Sequence, residues 1–408
     1  MIPNTRLRKL ARGEEGFSLV FVSLGFMAFL AASMLAIDVG MLMTARTQAQ
    51  NSADAGALAG ATAIAFDSWT DRSATGPAVT YAISTSQLNN VMGSQVSVRP
   101  ADVEFPNDPV DGSPDRVKVT VYRTAGRGNP VATLIAQYFG IRTADIAATA
   151  TAEASSANAM TCVKPFTIPD KWKDSCSVAG ELCPPPSYFD PSDSFERYYT
   201  NGNKQGQVVP NPDVYVPAFD SSGNPNPGYT GYNSEANRGL RMTLHASNGA
   251  NIAPSLYYSL AMTGDTGGDD YNWNIANCNH TIYHWNDQLV QEPGAKEGPT
   301  IDGITQLIAK DPGAYWDDSC NCVKNSAYGD RQSPRIFPIP LFDPDYYQAG
   351  QTNGRVASLR VANWIGYFVE YIGGTTIYGR IIPIGGIRDT TSNAPSMSSF
   401  PKAIRLVQ

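Results

Sequence analysis

FSLVFVSLGFMAFLAASMLAI, residues 17–37, is an uncharged apolar run. At 1.5 Å per residue, a helix of this length covers about 30 Å, the thickness of a bilayer's hydrocarbon core. The leader before it, residues 1–16, carries Arg6, Arg8, Lys9 and Arg12 against Glu14 and Glu15. Basic flanks stay in the cytoplasm, so this polarity sends residues 38 onward across the membrane. A cleaved secretory signal has a shorter apolar region, about 7–15 residues, followed by a small-x-small site. Here the run passes unbroken into more helix, which favours a retained anchor.

The continuation, DVGMLMTARTQAQNSADAGALAGATAIAF over residues 38–66, contains no proline. Arg46, Gln50 and Asp54 recur at four-residue steps, and Ala49, Ala53, Ala57 and Gly60 or Ala61 line another face. The pattern predicts one helix over residues 17–66. Small residues let a second backbone approach closely, so this face suits packing against a globular head or a neighbouring protein's helix. Within the apolar run, Ala28, Ala32 and Ala36 repeat the same spacing. Alanine's high helix propensity accounts for such a composition equally well.

Residues 13–62 resemble the amino-terminal segment of the TadE/TadG-like proteins of Flp (tight adherence) pilus assembly. The matching features are the apolar span, Asp38-Val39-Gly40 after it, the Ala45-Arg46 to Gln50 stretch and the Asn51-Ser52-Ala53-Asp54-Ala55 to Ala61 run. The resemblance implies an inner-membrane protein with a periplasmic body, whose partners are the bilayer through residues 17–37 and other Tad/Flp assembly proteins. Gly16-Phe17-Ser18-Leu19-Val20 also resembles a prepilin cleavage site, with the cut after Gly16. Such sites carry glutamate five residues past the cut, where this chain has Phe21, and basic leaders where it has Glu14 and Glu15.

Charge narrows the partners. Of 30 basic and 37 acidic residues, the leader takes four and two, leaving the remainder with a formal charge of −9. That disfavours nucleic acid and anionic lipid.

Residues 71–155 read as a small α+β unit: a helix over Pro77–Val91, a strand over Gln95–Phe105, and an alternating strand over Asp115–Arg123. A helix from Pro130 to Phe139, ended by Gly140, and a strand over Ile146–Ala154 complete it. By analogy with pilin-like heads, the long helix lies across this sheet. Residues 156–408 are rich in Pro, Gly, Asn, Asp and Tyr, with strand-like runs at Arg241–His245, Val356–Val361, Ile365–Ile372 and Thr376–Ile384. Their best helix is Ile301–Ala309, capped by Thr300. Pro184-Pro185-Pro186 and residues 220–230 read as turns or a surface loop. The expected class is α+β: a single transmembrane helix extended into a long amphipathic helix, a small α+β layer, and a strand-rich domain with long loops. Twenty tyrosines suit either a contact surface or a strand-rich core.

Cys162, Cys176, Cys183, Cys278, Cys320 and Cys322 all follow the span. In an oxidising compartment, six cysteines favour three disulfides. Cys320 and Cys322 are too close to pair easily, so each is expected to reach elsewhere, with Cys278 a partner for one and Cys176 with Cys183 a further pair. The rival is a zinc site built from Cys278, His280, His284, Cys320 and Cys322. Carboxylates at Asp265, Asp269, Asp270, Asp343 and Asp345 suit either calcium or turns, and turn chemistry is the commoner use. Larger Tad proteins often carry a von Willebrand A domain with an Asp-x-Ser-x-Ser motif. Asp220-Ser221-Ser222-Gly223-Asn224 comes nearest but lacks the last serine.

No nucleophile elbow, phosphate-binding loop, dinucleotide fingerprint or zinc-protease helix occurs. The expectation is therefore a non-catalytic chain that needs no cofactor. Two alternatives accompany it: a minor pseudopilin cleaved after Gly16, and a membrane-tethered enzyme acting on cell-wall glycan through paired carboxylates.

Overall fold

The computed structural model describes residues 14–109, 112–175, 193–247, 251–262, 267–352, 359–389 and 399–407. The leader up to residue 13, Cys176, Cys183, the triple proline, Asp265 and residues 356–358 lie outside the described residues. Helices and strands are numbered along the chain.

Helix α1 (Glu14–Phe66) runs unbroken for 53 residues, as the absence of proline permits. Helix α2 (Pro77–Leu88) starts with proline in its first turn, where no amide partner is lost. The two helices pack antiparallel through small residues, with Ser52, Gly56 and Gly60 set against Ala78, Ala82 and Ser86. The Ser52 hydroxyl donates to the Ser86 carbonyl at 2.8 Å.

The carboxyl-terminal half of α1 lies on a five-stranded sheet in the order β1-β2-β5-β18-β17. Strands β1 (Val103–Glu104) and β2 (Arg116–Arg123) are antiparallel, and β2 pairs with β5 (Ile146–Ser156) from Arg116 opposite Glu153 to Arg123 opposite Ile146. Val117, Val119 and Val121 point from β2 into the α1 core, as their alternation requires. The sheet then recruits β18 (Pro401–Val407), antiparallel to β5, and β17 (Ile384–Gly385), parallel to β18. The 71–155 unit is thus completed by strands from the far end of the chain.

Two local expectations fail. Residues 130–139 form no helix: β3 (Val131–Ala132) pairs with β4 (Thr143–Ala144), and only Ala136–Phe139 wind, as a 3₁₀ turn. Gly140, at φ 89°, closes that turn in the left-handed region. The strand expected over residues 95–105 shrinks to β1, because Pro100–Asp102 turn into a 3₁₀ segment. The Asp102 carboxylate fixes that turn by accepting the Arg99 amide at 2.8 Å and pairing with Arg127.

The larger body is a closed barrel. Strands β7 (Phe166–Pro169), β8 (Arg241–Ala246), β9 (Leu256–Ala261), β14 (Ile336–Phe342), β15 (Leu359–Gly373) and β16 (Thr376–Ile382) pair in the cycle β15-β14-β7-β9-β8-β16-β15. Strand β11 (Gln288–Gln291) bridges β15 and β9. Closure leaves these strands no free edges. Phe166, Ile168, Leu244, Tyr257, Ile339, Leu341, Ile365, Tyr367, Ile377 and Ile381 fill the interior. One end is covered by α3 (Gly268–Ala276) and α4 (Glu297–Lys310), through Tyr271, Ile275, Ile304 and Leu307. Gly303 permits their close approach, since a Cβ there would lie 2.6 Å from Ile275.

Helix α4 begins earlier than its sequence suggests. Thr300 is buried inside it and donates to the Lys296 carbonyl instead of capping the helix. Short pairs complete the body: β6 (Ala159–Met160) with β10 (Tyr283–His284), and β12 (Tyr315–Asp317) with β13 (Cys322–Lys324). Helix α5 (Pro344–Thr352) packs on β15, and Asp343 accepts the Tyr346 amide at its start.

Candidate functional site

The two halves of α1 meet different surroundings. Phe17, Phe21, Phe26, Phe29 and Leu35 are 61–72 % exposed, and none of the described side chains in the apolar window of mean hydropathy 2.3 is buried. Ala45, Ala49, Ala53, Ala57 and Ala61 are at most 1 % exposed, packed in one cluster with the β2 valines and the alanines of β5. Soluble proteins rarely leave this much contiguous apolar surface uncovered. The bare half is long and apolar enough to cross a membrane.

Asp38 marks the changeover. Its carboxylate is buried and accepts the backbone amides of Leu134 at 2.9 Å, Ile135 at 3.1 Å and Ala136. Burial alone would raise its pKa; donation from Ala136, Leu134 and Ile135 outweighs that and holds it below the ordinary carboxylate value. These bonds lie at the start of the Ala136–Phe139 turn, where a carboxylate suits free amides, while the pairing of β3 with β4 takes residues 131–132 out of the expected helix. Asp38 therefore ties the head to α1 one residue beyond the apolar run.

Farther along α1, the small-residue face is occupied by the protein's own head. Gly60 lies against α2 and β2, where a Cβ would come within 2.8 Å of Val117 and 3.2 Å of the Ala78 carbonyl. Gly56 is equally constrained, its Cβ position falling on the Ser86 hydroxyl and 2.9 Å from the Ala82 carbonyl. Sequence reading passed over Gly56, although its four-residue offset from Gly60 was the available signal.

Cys278, Cys320 and Cys322 pair differently from the expectation, while the expected Cys176–Cys183 pair lies outside the described residues. Cys162 bonds Cys278, tying the segment after β6 to that before β10, and Cys320 bonds Cys322 across two residues of sequence separation. The turn between β12 and β13 folds the chain back, which places neighbours that sequence judged too close at a Cα separation of 5.2 Å. These bonds consume the thiols of the proposed zinc set. Of its histidines, His280 lies beside Cys278, while His284 faces Asp287 and Asp389. His245 contacts Thr376 elsewhere.

The carboxylates singled out from sequence serve local structure among the described residues. Asp220 accepts the amides of Ser222 and Asn224, an Asx-type turn. Asp269 and Asp270 lie in the first turn of α3, where the helix dipole favours them. Asp343 pairs with Arg360, and Asp345 with Arg197 at 3.1 Å.

A buried carboxylate group was missed. Asp108, Asp115 and Glu153 lie within 4.8 Å of one another. Arg116 reaches Asp108 at 2.7 Å and Glu153 at 3.1 Å, and Arg405 of β18 reaches Glu153 at 3.1 Å. The guanidiniums make this a staple across β2, β5 and β18. Glu153, the lone charge in IAATATAEASS, was the signal.

Asp170 is the most enclosed acid among the described residues of the body, accepting Tyr215 at 2.9 Å, Tyr229 at 2.8 Å and the Lys171 and Tyr232 amides. Desolvation prevails over these donors and pushes its pKa up to about 6. No polar group of a substrate can reach it without displacing tyrosines, so it is a packing centre.

Helix α1, bare over its apolar half and packed by the head over the other, is thus the feature that carries functional information. Residues 16–63 match the family model described as Putative Flp pilus-assembly TadE/G-like. The matched segment comprises the apolar half of α1, Asp38 and most of the small-residue face, and stops before the rest of the head and the barrel. Comparison with curated proteins and with solved structures gave no match.

Proposed function

We propose that this protein is a non-catalytic, single-pass component of Flp/Tad-type pilus assembly or surface adhesion, with its amino terminus cytoplasmic and its head and barrel in the periplasm. The carrying observation is that one unbroken helix, matching the TadE/G-like model, is bare over its apolar half and clamped by the head over the other. The bilayer covers the first half. The second holds the head rigidly to the anchor, so that movement of one is transmitted to the other. Two disulfides in the described body fit an oxidising compartment. Its partners are other Tad/Flp assembly proteins, engaged through the head and barrel surfaces.

The test is deletion of the gene in its host, followed by surface pilus counts and affinity capture of the tagged protein in detergent. Loss of pili, restored by the full chain, together with recovery of pilus-assembly proteins supports the reading. Normal piliation with no such protein captured refutes it. A second reading has one observation in its favour: a long helix whose far half lies across an antiparallel sheet is the plan of a pilin head. Under that reading the mature chain begins at Phe17 and enters a filament, and amino-terminal mass spectrometry separates the two.

A further inference from the structure

We propose that residues 134–141 form a second, interfacial membrane contact beside the span, seated at the boundary between acyl chains and headgroups on the head's side of the bilayer. The segment Leu-Ile-Ala-Gln-Tyr-Phe-Gly-Ile presents Leu134, Tyr138, Phe139 and Ile141 to solvent at 55–83 % exposure. Four large apolar side chains on one short loop thus keep more than half their surface outside the head's core. Their position explains them.

The loop's height is fixed by Asp38, which binds the amides of Leu134, Ile135 and Ala136 and directly follows the apolar run. Phe139 is three residues from Ala136, so its Cα lies no more than about 11 Å from that of Ala136. The interfacial zone adds roughly 5–7 Å on each side of the hydrocarbon core, and an aromatic side chain spans a comparable distance. Helix α1 itself keeps apolar side chains exposed past Asp38, at Val39 and Met43, so apolar surface rises about 9 Å beyond Ile37 on the same side. The loop and this rim meet at one level.

The chemistry suits that level. Tyr138 combines an apolar body with a polar tip that prefers the membrane–water boundary, Leu134, Phe139 and Ile141 supply apolar side chains that bury at the acyl edge, and exposed Arg142 follows Ile141 within reach of lipid phosphate. The occupant is the bilayer already crossed by α1, because the loop is continuous with that surface through Asp38. A two-point contact of this kind sets the tilt of the head on the membrane, which a single helix leaves free.

The inference rests on α1 being the span, and its test separates the two. Full-length Phe139→Trp and Tyr138→Trp variants are reconstituted in phosphatidylcholine vesicles, with and without bromine on the acyl chains. The wild-type chain, with tryptophans only between residues 69 and 364, supplies the background. Tyr328→Trp, on an exposed site of the body, is the control. The expected result is blue-shifted added emission at positions 138 and 139 that brominated lipid strongly quenches, with none at 328. Solvent-like, unquenched emission overturns the proposal. So does blue-shifted but unquenched emission, which places the ring against protein. Retention of the chain after alkaline carbonate washing, scored on the same vesicles, shows whether the span holds when the loop does not.

Discussion

Replacing Gly56 with valine sets two effects of opposite sign against each other, and the structure decides between them. In a bare helix the change is favourable by roughly 0.3–0.5 kcal/mol, the part of glycine's propensity penalty that a β-branched residue recovers. In α1 the new Cβ would fall on the Ser86 hydroxyl and 2.9 Å from the Ala82 carbonyl oxygen. The hydroxyl can rotate away; the carbonyl belongs to the α2 backbone and yields only if the helix moves. Van der Waals contact at about 3.5 Å therefore demands an outward shift of roughly 0.6 Å before the two methyls are placed. Overpacking of this kind costs about 1–3 kcal/mol, which exceeds the propensity gain. Amide exchange of residues 77–88, followed by mass spectrometry in detergent, should accelerate about 5- to 30-fold for each one to two kcal/mol lost. Gly40→Ala is the control, because nothing lies within 4 Å of the Cβ position there. Unchanged or slower exchange of α2 in Gly56→Val would mean that the helices do not pack through this seam.

Further consequences concern the other tethers. Asp38→Ala should speed amide exchange at residues 134–136 while leaving β2 and β5 unchanged; equal protection in the variant would remove Asp38 as the tie. Asp170 holds its proton more tightly folded than unfolded, so its contribution to stability is complete below about pH 4 and lost as pH rises through about 6, an effect of roughly 3 kcal/mol. Asp170→Asn should therefore flatten the fall in melting temperature over that window, and an unchanged profile would show that another group titrates. The Cys162–Cys278 bond closes a separation of 116 residues, against two for Cys320–Cys322. Replacing the first pair with serine should cost about 4–5 kcal/mol by chain entropy and the second far less, measured as melting temperature. Equal losses would contradict that ranking.

What could be read from the sequence was set by range. The 53-residue helix follows from composition and absent proline, and β2 from the alternation of Val117, Val119 and Val121. Both signals are local. The 130–139 segment looked helical by the same local criteria, but Val131–Ala132 pair with Thr143–Ala144, and Asp38, about a hundred residues away, takes the amides that start the single turn left over. The pairing of β18 with β5 spans some 250 residues and is marked only by Arg405 and Glu153, two charges with no visible relation until the strands are aligned. Barrel closure was likewise hidden, because runs such as Ile365–Ile372 show that a strand is buried without naming its neighbours. The partners of Cys278, Cys320 and Cys322 were misread for a related reason: spacing argued against Cys320–Cys322, and the hairpin that allows it is a property of the fold.

The central claim is that α1 crosses the membrane and carries everything after Asp38 to the far side. Protease treatment of intact spheroplasts, followed by alkaline carbonate extraction and immunodetection of tags at both ends, tests it directly. The account predicts that the carboxyl-terminal tag is destroyed from outside, while the amino-terminal tag survives on a short fragment in the carbonate-resistant pellet. A body protected in intact spheroplasts, or a chain released by carbonate, would contradict it.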